Sequence, residues 1–460
     1  MPYPDMRAYI RRLEEAGQLV CVHKEVSPDL ELGLICRELA DRNGPAALFE
    51  NVTGSPLPVL VNLFGTRERA AMALEIPESE LLPHWRQALA APVPPVVVDG
   101  GPCQEVEVDV DLTRNLPNIL WNEGDGGPYI TFGLVFAKDP ETHRTNMSVY
   151  RMQIKGPNKV GMKAQAPKHA GVMFLKAEEM GRPLELAVAI GADPSLYLAS
   201  QADVPLGVSE VEVAGALRGA PVKMVRCETV DLEVPATAEI VLEGRIEPGL
   251  REEEGPFGEF MGYFSGAAPR QVVTFTRMYH RRNPIYLATY EGKPTLETHV
   301  LHALSKEAVY FRQIQEYVCP TVRDVHISYG GCTIAHVYVS IKQQAAGQAK
   351  NVALELLKSH LVKLVVVVDE DVDVRNPTEV EWAIATRMQA DRDVIILPGM
   401  AGLHLDPSQP NHPSGLGAKM LIDATMEFGK RYDLIRLPQD RLEQVRANWT
   451  AYGFGPAARG

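Results

Sequence analysis

At 460 residues the chain is too long for one hydrophobic core, so two or three domains are expected. Its hydrophobic content of 45% and net charge of −13 describe an ordinary globular protein. Lys and Arg are scattered among carboxylates without a local basic stripe, which argues against a nucleic-acid partner.

The six cysteines, Cys21, Cys36, Cys103, Cys227, Cys319 and Cys332, form no C-x-x-C pair. That excludes a zinc ribbon or a thioredoxin-like motif and fits reduced thiols in a cytoplasmic protein. The first residues lack the apolar core of a signal peptide. The most apolar run, Leu361 to Val368, is interrupted by Lys363 and is too short to span a bilayer, so no membrane association is expected.

Met6, Tyr9, Ile10 and Leu13 recur at helical spacing and Gly17 is a stop. Leu19 to Val22 reads as a strand. Leu32, Ile35, Cys36 and Leu39 mark a second helix, Pro58 to Phe64 a buried strand, and Arg67 to Leu74 a short helix. Ala91 to Pro95 is Pro-rich and reads as a linker. From Gln104 to about Leu287 short strands dominate, as in a barrel or sandwich, around the Gly-rich segments Gly124 to Pro128 and Gly255 to Gly258. The pattern then returns to α/β: a linking helix over His299 to Glu316, a helix over Ala346 to His360, a buried strand over Val362 to Val368, and a helix opened by Pro377. The expected division is 1–103, 104–297 and 298–440, with a C-terminal tail at 441–460.

Two segments could carry chemistry. One is Asn146-Met-Ser-Val-Tyr-Arg151, followed by Lys168-His169; the other is Glu254-Gly-Pro-Phe-Gly-Glu259. Pro256 and the flanking glycines rule out a regular helix or a central strand, so this loop can fold two carboxylates toward one point. Paired carboxylates in unequal environments are a common source of one acid and one base. Arg151 and Tyr150 end a β-patterned run, which sends one toward the core and the other away from it. Asn146, His169 and Glu210 offer amide oxygen, imidazole nitrogen and carboxylate oxygen, a mixed hard set suited to Mn²⁺ or Mg²⁺ beside a phosphate. Asp369-x-Asp371-x-Asp373 resembles the start of an EF-hand, but Val374 and Val380 stand where Gly and Glu are required.

Taken in order, Asp125-Gly-Gly-Pro-Tyr-Ile-Thr, Asn146-x4-Arg151, Ser209-Glu210-x3-Ala214-Gly-Ala-Leu-Arg-Gly219, Val234 to Gly244, Glu254 to Glu259 and Val368 to Asp373 resemble the UbiD family of decarboxylases along nearly the whole chain. The resemblance implies an α/β (α+β) protein with an N-terminal α/β segment, a split β-barrel cofactor domain like that of flavin reductases, a linking helix and a C-terminal α/β oligomerisation domain. It implies prenylated FMN, delivered by a separate flavin prenyltransferase, and removal of CO₂ from an aromatic, heteroaromatic or α,β-unsaturated acid through a covalent adduct with that cofactor. The family's catalytic Glu–Arg–Glu set falls on Glu254, Arg151 and Glu259, with Glu259 as the acid.

Its Mn²⁺ (or Mg²⁺) ligands fall on Asn146, His169 and Glu210, with Glu212 as the rival to Glu210. The run Asn146, Met147, Ser148, Val149, Tyr150 and Arg151, with Lys168 and His169, should line the cofactor. Backbone oxygens near Ala199 and Ser200 match the family's K⁺ site, and Lys358 is the nearest match to a phosphate-contacting lysine. A homodimer or higher homo-oligomer is implied. Two rival readings are a non-catalytic subunit of a larger carboxylase assembly and a metal-dependent hydrolase.

Overall fold

The computed structural model describes residues 3–164, 166, 168–204, 208–409, 416–430, 433–435 and 437–455. The first helix, Met6–Glu15, is capped by Asp5, whose side chain accepts from the amide of Ala8 at 2.9 Å. It buries the four residues that set its period, Met6, Tyr9, Ile10 and Leu13. With Glu31–Asp41 it leads into a small sheet ordered Leu19–Val22, Ala46–Phe49, Val59–Val61, Tyr286–Leu287. The last strand of that sheet comes from the far end of the central segment, so the chain returns to its first domain before leaving for the third.

The central sheet is ordered Tyr129–Ile130, Met152–Ile154, Lys159–Met162, Ala268–His280, Ile240–Glu254, Leu184–Ile190, Leu134–Lys138, Thr145–Val149, with Val106–Val108 beside Ala268–His280. Its neighbours pair antiparallel. The two long strands Ile240–Glu254 and Ala268–His280 shift register twice, between Glu243 and Gly244 and between Ile246 and Arg251, which bends the sheet.

Three helices in this region, His169–Glu179, Pro194–Ala199 and Glu210–Arg218, have no clear signal in the sequence. Pro194–Ala199 is buried completely, so no amphipathic period betrays it, and the other two are short helices set among strand-patterned segments. The expected linker is also held in place. Val93 donates its amide to the carbonyl of Glu212 at 2.9 Å, and Val96–Val97 pairs with Lys223–Arg226.

The C-terminal sheet is ordered Val322–Ile327, His336–Ile341, Leu364–Asp369, Leu416–Ala424, Val394–Ala401. The Asp369-x-Asp371-x-Asp373 run is the acidic end of a parallel strand, where Asp369 and Asp371 both bind Arg387 and so are paired, not merely solvated.

The linking helix Glu297–Tyr317 ties the N-terminal part to the C-terminal part with two buried carboxylates. Glu297 accepts from the amides of Asn62 and Phe64, both at 3.1 Å, on the N-terminal side. Glu307 accepts from Arg67 (2.9 Å), from Arg375 (3.2 Å), from the amide of Ile327 (3.2 Å) and from His326 (2.8 Å). Burial alone would raise the Glu307 carboxyl, but Arg67 and Arg375 outweigh it and hold it well below the usual range. Glu307→Ala strips Arg67 and Arg375 of their shared buried counter-charge, leaving only Glu78 and Asp324 beside them, and is expected to cost about 3 kcal/mol, read from denaturant unfolding at neutral pH. The lowered pKa stabilises the fold above the unfolded glutamate value of about 4.3, and that contribution is lost as pH falls below it. Glu307→Gln should flatten this acid limb; an unchanged limb would place the acid sensitivity elsewhere.

Candidate active site

Two clusters share one stretch of backbone. Strand Thr145–Val149 carries Asn146, and the residues just past its end carry Arg151.

At the first cluster, two helix N-termini face the strand. Helix His169–Glu179 begins with His169 after Lys168, and helix Glu210–Arg218 begins with Glu210 after the capping residue Ser209. A carboxylate at a helix N-terminus is favoured by the helix dipole. Asn146 Nδ2 donates to Glu210 Oε1 at 2.7 Å and lies 3.4 Å from His169 Nδ1, which is 3.7 Å from Glu210 Oε1. Glu210 Oε2 accepts the amide of Met147 at 2.9 Å. Asn146 Oδ1 is buried and has no hydrogen-bond partner among the described residues.

An amide, an imidazole and a carboxylate thus converge, with one amide oxygen left over. That donor set fits a small hard cation. Lys168 and the helix N-terminus behind it fit an anion such as a phosphate. Glu210 makes these contacts and Glu212 makes none of them. Nearby, helix Pro194–Ala199 ends where the carbonyl of Ala199 accepts the amide of Ala202 at 2.8 Å and that of Ser200 accepts Ser148 Oγ at 3.2 Å.

At the second cluster the chain leaves regular β structure at Tyr150 and Arg151, so the expected alternation of faces fails. Tyr150 packs into the core at 4% exposure, and Arg151 is buried as well, its side chain 8% exposed beneath the acid loop. The Arg151 fork grips Glu254 from two nitrogens, Nε at 3.0 Å and Nη2 at 2.8 Å. Nη1 donates to Glu259 and, at 2.8 Å, to Ser265 Oγ. The guanidinium also lies over the Phe257 ring, 4.9 Å from its centroid. Lys163 Nζ donates to the same Glu259 oxygen at 3.1 Å.

Burial pushes the Glu259 carboxyl upward, but Arg151, Lys163 and Lys168 overcome it and hold the group below its ordinary value. In the resting site Glu259 is therefore ionised. Burial lowers the Lys163 ammonium, with Arg151 adding to the effect against the pull of Glu259.

The loop that presents Glu259 is clamped from three sides. Gly255 to Gly258 meets the other Gly-rich segment: the amide of Gly126 donates to the carbonyl of Pro256 at 2.7 Å, and that of Gly258 to Asp125 Oδ1 at 2.8 Å. A Cβ on Gly126 would sit 2.2 Å from the carbonyl oxygen of Gly255, so only glycine permits this approach. Past the acid, His299 Nε2 bonds the carbonyl of Phe260 at 2.7 Å, and burial keeps that imidazole neutral with a pKa near 4. Met261 reaches the C-terminal domain, where a cavity of about 690 Å³ is lined by Cys332, His336, His360, Lys363 and Lys419 among others.

Several expected cofactor contacts are not brought together. Met147 and Tyr150 are buried in the main apolar core, so of that run Ser148 and Val149 keep more accessible side chains. Lys358 ends helix Gln348–Leu357 with its side chain 65% exposed and bonded to Glu355 at 2.5 Å. No described contact joins it to either cluster. The lysines that do stand by the site, Lys163 and Lys168, include one that sequence reasoning missed. Ser265, Asp125 as the loop clamp, and Glu291 were missed with it, since no local pattern marks a residue whose partner lies on another segment.

Residues 10–89, 96–294 and 299–424 match, respectively, the N-terminal, Rift-related and C-terminal domain families of 3-octaprenyl-4-hydroxybenzoate carboxy-lyase (UbiD). The structure is similar to that of the UbiD-class enzyme HmfF from Pelotomaculum thermopropionicum in complex with FMN. The two are 41% identical, with a TM-score of 0.89 over 95% of this chain and 98% of that one. An evolved dimeric form of HmfF in complex with prFMN is 39% identical, with a TM-score of 0.87 and the same coverage. The vanillic acid decarboxylase of Sedimentibacter hydroxybenzoicus, in open form, is 34% identical, with a TM-score of 0.88 over 98% of this chain and all of that chain (100%).

Proposed function

Because the chain belongs to the UbiD family of prenylated-FMN-dependent decarboxylases, we propose that it releases CO₂ from an aromatic, heteroaromatic or α,β-unsaturated carboxylic acid, or runs the reverse carboxylation. The observation that carries this reading is the buried Arg151, gripped by Glu254 and touching Glu259.

Decarboxylation leaves an electron pair on carbon that no side chain can hold, and prenylated FMN supplies the electron sink when bound. Asn146, His169 and Glu210 would hold a Mn²⁺ or Mg²⁺ that neutralises the cofactor phosphate, with Lys168 beside it. The carbonyls of Ala199 and Ser200 would serve K⁺. Glu254 keeps Arg151 oriented, and the planar fork of Arg151 takes the substrate carboxylate. The incoming carboxylate competes with Glu259 for that guanidinium. As it wins, Glu259 loses its main counter-charge, its proton affinity rises, and it can act as the general acid that protonates the carbon.

The test is a panel of such acids offered to prenylated-FMN-loaded protein, following CO₂ release and deuterium uptake from D₂O into the product. Loaded protein that does neither with any member would end this reading. Removing the proposed metal ligand, Glu210→Ala, should weaken metal affinity by at least about 10–100-fold and lose flavin with it. Full flavin absorbance in metal-free Glu210→Ala protein would contradict the assignment, and loss of metal from Glu212→Ala alone would transfer it to Glu212.

A homo-oligomer built through the C-terminal domain accompanies this reading. The edge strand Val394–Ala401 of that sheet exposes Ile396 at 65%, and Leu416 on its neighbour at 50%, an apolar edge suited to a second copy. Light scattering at micromolar concentration should give a dimer or larger; a monomer would refute it.

A further inference from the structure

A third carboxyl stands beside the acid loop, and the reaction outlined above gives it no task. Glu291 lies in the segment between strand Tyr286–Leu287 and the linking helix. Its backbone carbonyl accepts from Asn122 Nδ2 at 3.4 Å, and Asn122 Oδ1 accepts the Tyr290 hydroxyl at 2.9 Å. The same Asn122 amide is what a Cβ on Gly258 would strike, at 2.5 Å. One asparagine is therefore wedged between the backbones of residues 258 and 291. At the other end of the acid loop, a Cβ on Gly262 would lie 3.1 Å from the Cα of Lys293. The segments bearing Glu259 and Glu291 are thus bridged by Asn122 on one side of the acid and in direct contact at Gly262 and Lys293 on the other.

The two carboxyls have opposite company. Glu259 is bonded by Arg151 and Lys163. Among the described residues the Glu291 carboxyl accepts from one neutral group, Thr298 Oγ1, at 3.2 Å. Two carboxyls, Glu259 and Glu297, face it and one cation, Lys168, opposes them; nearby, Arg37 donates to the carbonyl of Lys293. Burial first, and then the charge of Glu259, push the Glu291 carboxyl up to about 8. Neighbouring carboxyls with divergent environments are the arrangement in which one holds a proton and the other a charge.

We propose that Glu291 acts through Glu259, keeping in the resting site the proton that Glu259 delivers to the product carbon. This rests on the decarboxylase reading and deepens it. When the substrate carboxylate takes Arg151, the O–H bond of Glu291 breaks, its electron pair stays on that oxygen, and an O–H bond forms on Glu259. Glu259 then gives the proton to carbon, and Glu291 regains one from water in the cleft. Glu291 does not touch the reacting carbon.

Two measurements test this. Difference infrared spectra of the purified chain should show a protonated-carboxyl band lost with a midpoint near pH 8. The band should be absent from Glu291→Gln and titrate at lower pH in Glu259→Gln, where the repelling charge is gone. In cofactor-loaded protein, Glu291→Gln should slow exchange of the product C–H with D₂O by about 10²-fold with KM unchanged, and Glu291→Asp should recover part of the rate. Thr298→Val keeps the carboxyl but removes its hydrogen bond, so its midpoint should move up. This variant decides the matter if Glu291→Gln does not fold. A band indifferent to these substitutions, or wild-type exchange in Glu291→Gln, overturns the proposal. Wild-type protein with the titrating band but no exchange removes the decarboxylase reading, and the delivery step with it.

Discussion

Glu259→Gln is expected to keep fold, metal and flavin while lowering decarboxylation by about 10²–10⁴-fold. It should abolish exchange of the product's carbon-bound hydrogen with D₂O to the same degree. Glutamine preserves the shape of the side chain and can still bond Arg151 through its amide oxygen, but it has no proton to deliver. The loop should survive, because its clamps are Asp125, the amide of Gly126 and His299. Exchange requires only reversible protonation at the reacting carbon, so it isolates this residue from CO₂ release. If Glu259→Gln exchanged deuterium at the wild-type rate, Glu259 could not be the proton donor, and Glu254 would become the candidate.

Arg151→Ala should fail in a different way. It leaves Glu254, whose side chain is 0% exposed, and Glu259, at 12%, without their shared cation. Stability should drop by about 3–5 kcal/mol, the cost of stripping one partner from a buried ion pair. Because the substrate carboxylate loses its docking fork, KM should rise as kcat falls. Arg151→Lys is expected to restore part of the stability and little of the rate, since one ammonium cannot serve two carboxylates and a substrate in a fixed plane. A variant with wild-type KM would show that the carboxylate docks elsewhere.

What the sequence made legible, and what it hid, follows from how local each signal is. The first helix was readable because Met6, Tyr9, Ile10 and Leu13 lie on its one buried face. Helix Pro194–Ala199, buried on every side, carries no such contrast. Glu254 and Glu259 could be paired because only the four residues Gly-Pro-Phe-Gly separate them. Their grip on Arg151 spans 103 and 108 residues and became visible only through a family resemblance. Lys163 and Glu291 belong to no quoted motif, and only the folded chain shows which carboxyl each one faces.

The alternation rule misplaced Arg151 for an instructive reason: strand pairing stops one residue before the rule is applied. Thr145–Val149 pairs with Leu134–Lys138, whereas Met152–Ile154 pairs with Lys159–Met162. The two residues between them are free to turn both side chains inward.

That short segment also sets a limit on how such a protein can diversify. Asn146 and Arg151 are borne on one run of chain, so the cation-binding end and the chemical end of the site are spaced by a fixed number of peptide units. A single inserted or deleted residue between them would change the distance between the two clusters. Laboratory evolution toward new acids should therefore leave the length of residues 146–151 untouched. Accepted changes should collect instead around the cavity that Met261 shares with the C-terminal domain, where loops can vary without altering that spacing.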